Sequence, residues 1–347
     1  MSWNKLKDDG SNYKSSFVQI LGKFDNKSLN ELNNTIDKWR KQQKVIIHDY
    51  DPNTEFDTES FKNILDEAVN AIYNVSNHFK FGIAQPLFPS VALVSKKRKK
   101  GKNFTVPAWY NQGSHCIIVN IEEFKKGPAI YNFKVLVHEL LHAFSAHKFM
   151  QYNNDLLLTL GVSTFETDNK KDGEPNVLGV ALEEALTEEY TKIIFELTQN
   201  IVIERLQRKG VQIHAPNINR QVKLYAQKHY AAPADEIFYV DNSIFKKGKY
   251  NKRKDVVNKK SGILCYSYIP QRQVLRALAN KVASKNNFNA ANVILALINA
   301  KFTGNTELIQ KMIYDTYPDE AQKIYSQIMG MSKDPNFDPR TLIKQLM

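Results

Sequence analysis

A histidine, a glutamate, two leucines and a second histidine stand together at His138-Glu139-Leu140-Leu141-His142. On an α-helix, residues four apart lie one turn apart on the same face. Two imidazoles so placed can bind one metal ion at about 2.0–2.1 Å. Glu139 follows the first histidine directly, so its carboxylate projects beside such an ion, where it can take a proton from a water. Leu136, Val137, Leu140 and Leu141 make this helix apolar on most sides. It reads as a core helix, and two histidines with a glutamate inside a core helix need a chemical reason.

A catalytic zinc takes three protein ligands and keeps one position open. His147 is one offer for the third place. The stronger offer is the run Glu183-Glu184-Ala185-Leu186-Thr187-Glu188-Glu189. Glu184 and Glu188 are again four apart, so one can bind metal while the other holds a ligand histidine by its second ring nitrogen. From the residues alone, Glu183 and Glu184 both stay open as the ligand.

Taken together, His-Glu-x-x-His and Glu184-Ala185-Leu186-Thr187-Glu188 resemble the zincin metallopeptidases of the gluzincin type, whose later helix carries Glu-x-x-Thr/Ser-Glu/Asp. Glu183 stands where the wider pattern usually has Asn, and Ala185 where it has Gly. The gap from His142 to Glu184 is longer than in the thermolysin-like pattern and leaves room for an inserted segment. The resemblance spans roughly residues 58–200. It implies one Zn2+ per chain held by His138, His142 and Glu184, with Glu188 as the acceptor behind a ligand histidine. Glu139 is then the general base of a zinc metallopeptidase, an endopeptidase rather than an exopeptidase, acting on a protein or peptide substrate. It also implies an edge strand ahead of the motif helix, where Ser114–Asn120 lies, on which an extended substrate would pair. An oxyanion donor is required too. Tyr190, His229, Tyr266 and Tyr268 are chemically suitable, and the sequence does not rank them.

Certain elements must position these groups. Ser28-Leu29-Asn30-Glu31 has the form of a capping box, followed by Leu29, Leu32, Ile36 and Trp39 at helical spacing. A second helix is expected from Thr58 to Phe79, with Phe61, Ile64, Leu65, Ala68, Ile72 and Val75 on one face. Ser90–Val94, Phe104–Tyr110 and Ser114–Asn120 read as strands. The motif helix is expected from Tyr131 to Phe149 and a second helix from Val177 to Leu197. Four more helices follow, at 272–284, 289–300, 306–314 and 320–329. The expected fold class is therefore α+β and zincin-like: a small mixed sheet packed on a metal-motif helix, with a mainly helical C-terminal part. The division expected is an N-terminal helical segment (1–57), a catalytic core (58–200) and a C-terminal part (201–347) with a basic flexible segment near 245–261.

The bulk properties narrow the class. At 347 residues and 42% hydrophobic, the chain can bury a large core. No apolar run reaches the roughly 18 residues of a membrane span. The first residues lack the apolar stretch of a secretory signal, so the expected place is the cytoplasm, or the interior of a cell or virion if the chain is viral. Two well-separated cysteines, Cys116 and Cys265, read as buried thiols in a reducing compartment. The net charge of +12 is concentrated in Lys96–Lys102 and Lys246–Lys260, which admit an acidic or nucleic-acid partner. Two alternatives to a peptidase follow: an inactive zincin-like binding or assembly protein, and a nucleic-acid-associated protein acting through its basic runs.

Overall fold

The computed structural model describes residues 18–21, 24–42, 44–48, 56–81, 87–95, 106–152, 155–166, 175–213, 218, 220–230, 233–240 and 263–347. Both basic runs, and the joint expected near 245–261, lie outside them. Among the described residues the architecture is α+β.

Helix α1 (Asn26–Lys41) begins earlier than the capping box suggests. Its cap is Asp25, whose Oδ1 accepts from the Ser28 N–H at 2.7 Å, so Ser28 already lies inside the first turn. Helix α2 (Thr58–His78) is capped in the same way by Asp57, and it buries the six apolar residues that its spacing selects.

Four strands form the first sheet: β2 (Ile46–His48), β3 (Ser90–Val94), β4 (Ala108–Asn111) and β5 (Cys116–Asn120), in the order β2-β3-β5-β4. The first three neighbours are parallel and β4 runs antiparallel to β5. The expectation of Ser114–Asn120 as the edge strand is therefore wrong. The chain turns back at 112–115 and lays β4 along the outer side of β5, so β4 holds the edge and β5 is interior.

A short helix, α3 (Ile121–Phe124), leads to the motif helix α4 (Ala129–Ala143). Helix α4 stops six residues short of the expected end. The Ser145 hydroxyl turns back to Leu141 O at 2.7 Å, and His147–Tyr152 becomes strand β6. That strand sits between β1 (Val18–Leu21), parallel, and β7 (Asp155–Leu160), antiparallel. Sheet pairing supplied by distant chain wins over the local helical periodicity.

The hairpin β8 (Thr164–Glu166) and β9 (Asn176–Leu178) precedes α5 (Val180–Arg208), which runs eleven residues past its expected end. Helix α6 (Arg220–Tyr230) and the hairpin β10 (Ile237–Val240) and β11 (Ile263–Cys265) follow. The chain then closes with α7 (Ile269–Asn286), α8 (Ala290–Thr303), α9 (Thr306–Thr316), α10 (Ala321–Met329) and α11 (Arg340–Leu346). One continuous cluster of buried apolar side chains runs from Phe61 on α2 to Leu346 on α11 and encloses most of α4, α5 and α8. Both cysteines are free; Cys265 is buried, whereas Cys116 is only half-buried. Among the described residues no helix is long and apolar enough to cross a membrane.

Candidate metal centre

Helix α4 places Lys134, His138 and His142 on one face at successive turns, and α5 presents Glu184 and Glu188 opposite them. Three ligand atoms converge. His138 Nε2 lies 3.2 Å from His142 Nε2 and 3.4 Å from Glu184 Oε2, and His142 Nε2 lies 3.2 Å from that same oxygen. An ion with ligands at about 2.0–2.1 Å in tetrahedral geometry separates them by roughly 3.3–3.4 Å. The three atoms thus stand at three corners of such a tetrahedron, and the group can hold a metal ion.

Proton bookkeeping points the same way. His138 Nδ1 lies 2.7 Å from Glu188 Oε2, so that nitrogen is the donor and Nε2 carries a lone pair. His142 Nδ1 faces Glu183 Oε1 at 3.8 Å. Two imidazole lone pairs and a carboxylate aimed at one point repel one another unless a cation lies between them. Without metal, protons serve. Burial alone would lower the His138 pKa, but Glu184 and Glu188 raise it to about 9, and His142 is raised as well, Glu184 being the main opposing charge. Burial would likewise raise the Glu184 carboxyl, yet the two histidines hold it well below its ordinary value.

Glu139 lies beside this group and is not part of it. Its Oε2 accepts the Tyr110 N–H, which points out of the open side of β4, at 2.7 Å. Burial raises the Glu139 pKa, which suits a group that must take up a proton.

Two carboxylates stand behind the histidines, each paired with a buried lysine. Glu188 Oε1 binds Lys134 Nζ and accepts the Ser267 N–H at 2.6 Å. Glu183 Oε1 binds Lys301 Nζ from α8, and Glu183 Oε2 accepts the Val162 N–H at 3.1 Å. The ambiguity between Glu183 and Glu184 resolves geometrically: Glu184 points at the convergent nitrogens, and Glu183 lies behind His142. Neither lysine was singled out from sequence. Both were visible as lone charges in apolar helical runs, Phe133-Lys134-Val135 and Ala300-Lys301-Phe302.

His147 does not reach the group. Its Nδ1 donates to Ser145 O at 2.8 Å, and its Nε2 meets the Tyr110 hydroxyl at 2.7 Å. The same hydroxyl lies 2.6 Å from His115 Nδ1. Burial pushes the His115 imidazole down to about 4 and holds His147 well below its ordinary value. This cluster of neutral rings fastens β4 to β5 and β6.

Among the four donors, the Tyr190 hydroxyl is committed to Ser76 Oγ at 2.6 Å. Tyr266 is packed in an aromatic cluster with Phe195 and Phe238. The His229 side chain lies outside the described residues. Tyr268 stacks on His138, with ring centroids 6.2 Å apart and planes 12° from parallel. Burial and the facing Glu184 carboxylate raise its pKa and keep it a neutral O–H. Its backbone is left-handed, φ 54°, an uncommon state for a bulky residue and one found at functional positions. No protein-family model, curated protein or solved structure matches the chain.

Proposed function

We propose that the protein is a zinc-dependent metallopeptidase of zincin type, an endopeptidase with one Zn2+ per chain on His138, His142 and Glu184. The observation that carries this reading is the tetrahedral spacing of three ligand atoms with a half-buried carboxylate of raised pKa beside them. A structural zinc is closed by a fourth protein ligand and has no use for such a base. When bound, zinc would acidify a water and polarise the scissile carbonyl.

The chain's own groups do the rest. The Tyr110 N–H fixes Glu139 Oε2, which leaves Oε1 to receive the water's proton and hand it to the leaving nitrogen. The Tyr268 O–H, held over His138, is the donor placed to meet the developing oxyanion. The open edge of β4 offers an extended substrate backbone a strand to pair with, directly beside Glu139.

The test is zinc stoichiometry by elemental analysis on wild type and Glu184→Ala, followed by hydrolysis of an unfolded protein substrate. The expected result is one zinc per chain in wild type, loss in the variant, and cleavage by wild type alone. A wild-type chain that binds no zinc when purified without chelators overturns the reading.

A further inference from the structure

A lysine with no exposure, Lys301, sits on α8 among Leu297, Ile298, Ala300 and Phe302, all buried. Burying a charge costs several kcal/mol, and a buried ion pair is often no more stable than an apolar pair of the same volume. Stability alone does not explain its presence. Its partner does: Lys301 Nζ binds Glu183 Oε1, the oxygen that faces His142 Nδ1. The fold makes further room for this carboxylate. Glu183 Oε2 takes the Val162 N–H, and a side chain at Gly161, where φ is +55°, would overlap the carboxylate. The Ser145 hydroxyl, which donates to Leu141 O, accepts from Lys301 and locks the ammonium in place. On the other side of the centre, Lys134, Glu188 and His138 repeat the arrangement.

We infer that Glu183 and Lys301 are positioning residues for the metal ligand His142: the lysine holds the carboxylate in place, and the carboxylate, 3.8 Å from His142 Nδ1, sets the orientation of the imidazole. The inference rests on the metallopeptidase reading and adds that the helical C-terminal part reaches into the centre to complete it. Each ligand histidine then has its own buried carboxylate and lysine, one lysine from the motif helix and the other 167 residues further on. Acceptors behind ligand histidines typically alter metal affinity by about 10–100-fold.

The experiment measures zinc affinity, by competition with a chromophoric chelator, on wild type, Lys301→Met, Glu183→Gln and the double variant Glu183→Gln/Lys301→Met. Lys301→Met alone leaves a buried carboxylate unpaired and is expected to lose stability. The double variant removes both charges and is the decisive protein. Its metal-free thermal midpoint is expected to stay near that of wild type while zinc affinity falls about 10–100-fold. The visible absorption of its cobalt form, which reports the ligand set, is expected to change as well. If the double variant binds zinc within about 3-fold of wild type, with an unchanged cobalt spectrum, the pair is structural and the inference is overturned. That outcome is distinct from a wild type that binds no zinc, which removes the metal centre itself.

Discussion

His138 donates one nitrogen to Glu188 and turns the other toward Glu184 and His142, while its neighbour Glu139 holds a backbone N–H and touches none of them. Adjacent residues on one helix therefore have separable tasks. Glu139→Gln keeps size and hydrogen bonding, so zinc content should match wild type while kcat/KM falls by about 10^2–10^4 or more. Tyr268→Phe should leave zinc content and KM near wild type and lower kcat by about 10^2-fold, the signature of a donor used only in the transition state. Metal analysis beside steady-state kinetics checks both. Turnover retained in Glu139→Gln would remove it as the base. At this scale His138, Glu139 and His142 were legible, because helical spacing is fixed by backbone geometry. Lys301 was not, and Tyr268 was named only among four unranked donors, since nothing local in residues 268 or 301 shows which distant side chain each will meet.

The α5–α7 contact shows how elements hold the centre in register. One residue past Glu188, the Glu189 carboxylate leaves α5 and meets Arg272 Nε at 2.7 Å and Arg276 Nη2 at 3.0 Å. The same arginines bind Glu236, just before β10, at 2.6 and 2.7 Å. This ladder sets the start of α7, and with it Ser267 and Tyr268, against the metal face. Arg272 is fully buried, so Arg272→Met leaves Glu189 to Arg276 alone and Glu236 to Arg276 and Lys192, and should cost up to about 3 kcal/mol, read from the urea midpoint. The pH dependence has a definite sign. Burial would raise the Glu189 pKa, but Arg272 and Arg276 lower it below 4.5, so its contribution is complete above the unfolded carboxylate value and is lost on acidification below it. Wild-type stability should therefore fall below about pH 4.5, and less steeply in Arg272→Met. An acid limb of equal slope in both proteins would show that the ladder is not the source.

Elements were legible where amphipathic spacing was strong and packing local, as in α2 and α8. They were misread where partners come from far along the chain. The helix was expected to run on to Phe149, yet β1 and β7 capture the residues from His147 onward as a strand. The dipeptide Asn153-Asn154 is the available turn signal for that hairpin. The edge strand was displaced by one position for a similar reason. Ser114–Asn120 has the stronger β pattern and includes β5, which is paired on both sides, and pairing on both sides is what an edge strand lacks.

For the molecule as a whole, the main core from Phe61 to Leu346 means that the centre is not finished by the residues proposed to ligate it. A chain ending at residue 288 retains His138, Glu139, His142, Glu184 and Tyr268 but lacks α8 to α11. It loses Lys301 and the buried faces of four helices. It should bind zinc far more weakly than the full chain and melt without a cooperative transition, as followed by elemental analysis and circular dichroism. A truncated chain with one tightly held zinc would show that residues 1–288 suffice.

The position of Lys301 along the chain also has a consequence in time. A ribosome adding roughly 5–20 residues per second makes Glu184 and then needs roughly 6–23 s more to reach residue 301. Throughout that interval the histidines and the general base exist, but the carboxylate behind His142 waits for its counter-charge. On the proposed reading, the centre ripens only once residue 301 has been made. The proposed peptidase, built this way, would stay blunt while its own unfolded nascent chain is the closest peptide within reach.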